Sequence, residues 1–192
     1  MKLNNVENIS NKIFFDMNKL IFSLQKLIIQ KIRFKKIVTE KILTGNMQLP
    51  GFEKIYTYKK IGDLCKIQRI KSSKILFNKK KNNQDKLTND YIKIRESKGQ
   101  VVLSANEETF NSWFYFLVKF LESELIKKNN NFGSAAIQIE DLLELIVPVP
   151  PYLEQKSIAH ILNDLNTEIQ QLEKKLDKYK QIKREMEFNL FV

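Results

Sequence analysis

Two stretches of apolar residues, advancing in alternate steps of four and three, stand near opposite ends of this chain and limit what it can fold into. The first lies within about Val6 to Leu43, a run without glycine or proline, and reads Ile13, Met17, Leu20, Leu24, Leu27, Lys31, Phe34 and Val38. The second follows the stop Pro148-Val149-Pro150-Pro151 and reads Ile158, Leu162, Leu165, Ile169, Leu172, Leu176 and Tyr179, then slips one residue to continue through Ile182, Met186 and Leu190. Such spacing keeps one stripe of a helix apolar and predicts two long heptad helices, the first interrupted once by Lys31. Each is expected to run to roughly 35–40 residues, or about 50–60 Å. Thr44-Gly45-Asn46 supplies a glycine where the first helix needs a C-terminal cap, and Pro50-Gly51 confirms the break.

The two helices also repeat one another. Asp16-Met17-Asn18 returns 148 positions later as Asp164-Leu165-Asn166. At that offset Ile13 meets Ile161, Ile21 meets Ile169, Leu24 meets Leu172, Ile28 meets Leu176 and Phe34 meets Ile182. The pattern predicts one helical unit used twice with a globular domain between the copies. A heptad helix cannot bury its stripe alone, so the two copies pair either within the chain or between two chains. The expected boundaries are residues 1–45 for the first helix, 46–151 for the domain and 152–192 for the second helix.

The inserted domain mixes α and β signals. Tyr56-Thr57-Tyr58, Ile61 to Ile67 with Gly62-Asp63 as a turn or helix-start signal, Tyr91 to Arg95, Gln100 to Ser104, and Ile137 to Ile139 and Ile146 to Val149 around a short Asp141-Leu142-Leu143 helical turn read as strands. Asn111 to Lys128 reads as a helix whose aromatic side, Trp113 to Phe120, is expected to be core rather than a platform for stacked bases. Lys71 to Lys86 is rich in Lys, Asn and Ser and reads as an exposed loop. The fold class expected is α+β, one mixed domain flanked by two long helices that form an antiparallel coiled coil.

Charge bears on partners. The formal net charge is +11, which favours a polyanion, although a chain this rich in Lys, Asn and Ile also fits an AT-rich coding bias on a solvated surface. Chemistry of its own is hard to place. One cysteine, Cys65, and one histidine, His160, cannot meet a zinc pattern, and there is no glycine-rich phosphate loop. Pro150-Pro151-Tyr152 resembles the end of an amino-methyltransferase motif, but Val149 stands where that motif needs a polar side chain. The absence of a signal-peptide pattern and of any bilayer-length apolar run predicts a soluble cytoplasmic protein with no membrane partner. No catalytic residue, metal or cofactor is expected.

Two stretches resemble the specificity subunits of Type I restriction–modification systems. One is Pro150-Pro151-Tyr152-Leu153-Glu154-Gln155-Lys156-Ser157-Ile158-Ala159, which is similar to that family's entry into a conserved helix. The other runs from Glu40-Lys41-Ile42-Leu43-Thr44-Gly45 through Leu49-Pro50-Gly51-Phe52 to Ile61-Gly62-Asp63-Leu64, and resembles its exit from such a helix into a recognition domain. Gly133-Ser134 and Ile137 match more weakly. The resemblance implies a non-enzymatic, DNA-recognition subunit with one recognition domain, about half of a full subunit, and it assigns catalysis to partner subunits. Implied partners are double-stranded DNA, a modification (methyltransferase) subunit, indirectly a restriction subunit, and a second copy as a homodimer, which would mirror its symmetry in a gapped palindromic site. The domain is shorter than the family's usual one. That leaves a second reading, a coiled-coil assembly or adaptor protein that no longer reads DNA.

Candidate DNA contacts are the basic run Lys71, Lys74, Lys79, Lys80 and Lys81, with Ser72 beside it, and the arginines Arg69 and Arg95. Lysines suit phosphates, and arginine's planar fork suits guanine. A solvated loop and ordinary surface pairing are the competing readings. Met17, Leu20, Leu24 and Leu27 on the first helix, and Leu162, Leu165, Ile169, Leu172 and Leu176 on the second, are the candidate subunit-interface residues. By resemblance Glu154 and Gln155 lie near the docking surface for the methyltransferase.

Overall fold

The computed structural model describes residues 2–53, 55–70, 91–96, 99–129 and 138–191. In chain order the elements are α1 (Lys2–Leu43), β1 (Thr57–Lys60), a 3-10 turn (Ile61–Leu64), β2 (Cys65–Ile70), β3 (Ile92–Glu96), β4 (Gly99–Ala105), α2 (Asn111–Asn129), α3 (Ile139–Leu143), β5 (Ile146–Val149) and α4 (Tyr152–Phe191). This is the mixed α+β architecture with two long flanking helices. Two compact units divide it: residues 1–38 with 163–192, and residues 39–162.

The first unit is a helix pair. Lys31 Nζ lies 2.7 Å from Glu168 Oε1, while Leu176 shares a groove with Phe22 and Ile29. Later positions on α4 thus meet earlier positions on α1, which makes the pair antiparallel and within one chain. The packed stripe differs from the sequence expectation by one residue in every other step. Leu24 and Ile28 are each 7% exposed, whereas Leu20 and Leu27 are 39% and 38% exposed. With Met17, Ile21, Lys31, Lys35 and Val38 half-buried, the seam reads 17, 21, 24, 28, 31, 35 and 38. Both stripes satisfy the heptad rule, because α1 is apolar around most of its circumference and periodicity alone cannot choose between them. Lys31 is no interruption of this seam. Its stem packs at a seam position and its ammonium reaches Glu168 at the edge. Lys35, one turn on, has its pKa lowered by burial. From α4, Ile169 is buried, and Leu165, Leu172 and Leu176 are half-buried.

The second unit is built on two small antiparallel sheets. β1 pairs with β5, Thr57 opposite Val149 and Lys60 opposite Ile146. β2, β4 and β3 form the other in that order, with Ile67 opposite Leu103 and Leu103 opposite Ile92. Residues directly opposite share a face. Ile92, Ile94, Val101 and Leu103 therefore form one buried face, which joins Trp113, Phe114, Leu117 and Val118 of α2 and Ile139 and Leu142 of α3 in the core. The aromatic side of α2 is core, as expected. The strand expectations are refined at two places. Ile61 to Leu64 turn as a 3-10 helix at the Gly62-Asp63 signal, with Ile61 and Leu64 inward, before β2 begins at Cys65. Ile139 opens α3 rather than ending a strand, and Ile137 lies outside the described residues.

The exit from α1 is shaped by Gly45. Its φ of 75° is the left-handed conformation expected of a residue just past a helix end, and Met47 N donates back to Lys41 O at 3.0 Å. A Cβ at Gly45 would stand 3.1 Å from Cβ and Cγ of Pro148 and 3.4 Å from Tyr56 Cδ2. Gly51 is also left-handed, at 86°, but a Cβ there meets nothing within 4 Å. Gly45→Ala is therefore expected to lower stability by about 2 kcal/mol and Gly51→Ala by about 1 kcal/mol. Paired denaturant titrations check the ordering.

Candidate nucleic-acid interface

The chemistry within the second unit concentrates at the start of α4. Glu154 and Gln155 sit in its first turn, where Glu154 N and Gln155 N both donate to Pro151 O at 2.9 and 3.0 Å. The proline pair stops β5 and sets the chain into the helix, where Tyr152 and Leu153 stay exposed and Glu154 and Gln155 turn inward. The Glu154 carboxylate is completely buried, and the donors that reach it are neutral. Tyr56 OH donates at 2.7 Å and Leu49 N at 3.2 Å to Oε1, and Gln48 Nε2 donates at 3.2 Å to Oε2. The helix N-terminus adds a favourable partial charge. Burial, the bond to Glu154 and the negative charge of Glu154 together push the Tyr56 hydroxyl well above its ordinary pKa of 10. Gln155 works similarly on another segment. Its Oε1 accepts from Phe110 N at 2.8 Å and its Nε2 donates to Pro150 O at 2.9 Å.

This pair clasps three strands of chain to one helix end: the linker 48–56, the loop before α2, and the β5–α4 junction. Both side chains face the interior and are satisfied within the chain. Their structural position is a clasp, where resemblance alone had placed them near a docking surface. A pairing of Glu and Gln after two prolines was visible in the sequence. Its partners were not, because they come from roughly a hundred residues earlier or 45 residues earlier in the chain.

Among the candidate DNA contacts, Arg69 is exposed and described. It projects from β2 opposite Val101, on the same side as Ile94, and its guanidinium is ion-paired with Glu140 of α3. Lys71, Ser72, Lys74, Lys79, Lys80 and Lys81 lie outside the described residues, as does the side chain of Arg95. Of these side chains the structure describes only that of Arg69. It does line up others that composition did not single out. Lys66 and Gln68 on β2, Lys93 on β3 and Ser104 on β4 share the outer face of the three-stranded sheet. Lys66, Gln68 and Lys93 are exposed. Lys59 and Lys60, on β1, are instead paired with Glu108 at 3.3 Å and Glu144 at 2.5 Å. Alternation of Lys66 and Gln68 with Cys65 and Ile67 was the signal that could have marked this face.

Among the described residues no group of three His, Cys, Asp or Glu side chains could hold a metal ion. His160 stands exposed on α4. The Cys65 thiol is pushed up to about 11 by burial, the opposite of an activated nucleophile. No described helix is long and apolar enough to cross a membrane.

Comparison with known proteins bears on this arrangement. Nothing among curated proteins matches the chain. Among solved structures, the Type-I restriction-modification system S subunit from M. genitalium superposes with a TM-score of 0.60 at 15% identity, over 95% of this chain and 59% of that one. The HsdS subunit from Thermoanaerobacter tengcongensis superposes with a TM-score of 0.63 at 12% identity, over 95% of this chain and 56% of that one. The chain thus spans a little over half the length of these structures, and at such identity the likeness is one of fold. Residues 97–184 also match a family model, and that match covers β4, α2, α3, β5, the clasp and most of α4. Residues 97–184 are thus similar to the Type I restriction modification DNA specificity domain, and the chain shares its fold with these two solved S subunits.

Proposed function

We propose that this protein is a non-catalytic recognition subunit, which binds double-stranded DNA through the 39–162 unit and directs a partner methyltransferase and endonuclease to a bipartite site. The observation that carries the reading is the specificity-domain match at residues 97–184, which runs from β4 through Glu154 and Gln155 into α4. The rest of the chain is consistent with it. A net charge of +11 suits a polyanion, and the outer face of the sheet offers Lys66 and Lys93 for phosphates beside Gln68, a side chain able to read a base edge. One recognition unit per chain reads half of a bipartite site. A second half then comes from a second copy or from another recognition domain in the complex, and a symmetric pair implies a gapped palindrome.

Selection from a pool of randomised duplexes, using this chain co-purified with the modification subunit, tests the reading. The expected result is enrichment of one gapped motif, bound about a thousandfold or more tightly than random duplex. Joint Lys66→Ala and Lys93→Ala substitution is expected to weaken binding to all sequences and to shallow the salt dependence by up to about two counterions. Uniform, sequence-blind binding would sink the reading in favour of an adaptor that uses the helices alone.

A further inference from the structure

The buried rows of the three-stranded sheet stop short of its edge. Ile92, Leu103 and Ile67 stand in line across β3, β4 and β2 on the inner face. Ile92 and Leu103 are 3% and 0% exposed, yet Ile67 is 45% exposed. The next row repeats the step. Ile94 and Val101 are fully buried, and Arg69 beside them is exposed. Strand β2 therefore overhangs the core. Four consecutive side chains from Lys66 to Arg69 are exposed, Lys66 and Gln68 on the outer side and Ile67 and Arg69 on the inner. Among the described strands, β2 has a neighbour on one side only.

An overhang that leaves an isoleucine half wet gives up apolar burial. Sheets guard such edges with charge, and Lys66 and Arg69 meet that need. Charge alone does not account for the residue types. Only four of the 33 cationic side chains in this chain are arginines, and an edge guard has no use for a planar fork. Gln68 carries no charge. The Arg69 guanidinium is held by Glu140 of α3, although both side chains are more than 60% exposed. A pair so exposed adds little to stability. It does orient the guanidinium: Glu140 engages Nη2, and the remaining N–H donors of the fork stay available to a ligand.

The strand's repeat fits a duplex. A strand advances about 3.3 Å per residue and B-DNA about 3.4 Å per base, so neighbouring residues on β2 can address neighbouring base pairs. The major groove admits β-strands, and there a glutamine amide matches N6 and N7 of adenine while an arginine fork matches O6 and N7 of guanine. A polypeptide strand added to the same edge would need neither group.

We propose that β2 is the base-reading strand of the 39–162 unit. Gln68 reads an adenine, Arg69 reads a guanine at a neighbouring position, and Glu140 is the positioning residue that holds the Arg69 fork. This rests on the DNA-recognition reading above and names the residues and bases through which it works.

The test compares the motifs selected from randomised duplexes by the chain co-purified with the modification subunit, wild type beside variants. Gln68→Glu is expected to move the preference at one position from adenine to cytosine, because a carboxylate accepts from cytosine N4. Arg69→Lys keeps the charge and loses the fork. It should lower the preference for guanine at one position by about tenfold or more, with affinity for random duplex held within about twofold. Glu140→Gln should relax that same position and add nothing in the Arg69→Lys background. Thermal melts verify that each variant is folded. A Glu140 that merely supports the fold would shift the melt and leave the motif alone, which would remove its positioning role. A wild-type motif that survives both Gln68→Glu and Arg69→Lys unchanged would overturn the proposal while the recognition reading stands. No motif from the wild type would sink both. Protection of the β2 amides from exchange by the modification subunit without DNA would overturn the proposal in favour of an added protein strand.

Discussion

Replacing Glu154 with alanine is expected to lower the stability of the 39–162 unit by about 3 kcal/mol, more than a substitution at an ordinary helix start. The carboxylate accepts from Tyr56 OH, Leu49 N and Gln48 Nε2, so its removal leaves two half-buried donors and one exposed donor without their acceptor. Gln48 can turn to water, but Leu49 N and Tyr56 OH are half-buried and have less choice. Glu154→Gln keeps one acceptor oxygen and loses the charge, and should recover roughly half of the loss. Differential scanning calorimetry beside hydrogen exchange across residues 48–56 reads both. A loss below about 1 kcal/mol for Glu154→Ala would mean that the clasp contributes little. The pH dependence follows from Tyr56. Its pKa is raised in the fold, so the folded protein holds a proton that the unfolded chain releases above pH 10. The stabilisation is complete below pH 10 and falls as pH climbs above it. Tyr56→Phe should flatten that alkaline fall while costing some stability at neutral pH.

The second large effect separates two seams that the sequence treats as equals. Leu24→Ala with Ile28→Ala should destabilise the helix pair by about 4–5 kcal/mol, because both side chains are buried between helices and leave cavities. Leu20→Ala with Leu27→Ala, chemically almost the same change one position away, should cost about 1–2 kcal/mol, because these side chains remain more than a third exposed. Long helices without a packed partner are marginal in water. The first variant is therefore expected to lose amide protection over residues 12–38 and 163–188, and the second to keep it. Equal losses in the two variants would mean that α1 packs on both sides of itself in solution.

Much of the architecture could be read directly from residue patterns. The long helices, their ends at Gly45 and at the Pro150-Pro151 step, and the β hairpin partners around residue 100 all follow from local chemistry: period, capping glycine, absent amide hydrogens. The aromatic side of α2 was legible as core for the same reason. What escaped was decided by partners distant in sequence. Lys31 reads as a defect in a heptad until Glu168 stands 2.7 Å away. Leu20 and Ile21, or Leu27 and Ile28, compete on equal terms until α4 selects one of each. Glu154 was visible as part of a motif, yet its role as an acceptor depends on a tyrosine 98 positions earlier. Arg69 was chosen for its guanidinium, and the fold gives that guanidinium to Glu140, a residue that no local pattern pairs with it. The outer face of the sheet emerged only once register put Lys66, Gln68, Lys93 and Ser104 on one side.

The proposed role as a recognition subunit meets its most direct test in a methylation-free host that expresses this chain together with the modification subunit, followed by base-resolution mapping of methylated adenines. The account predicts methylation at a single gapped motif, palindromic if two copies of this chain supply both halves. A complex that co-purifies but leaves every adenine unmodified would contradict it.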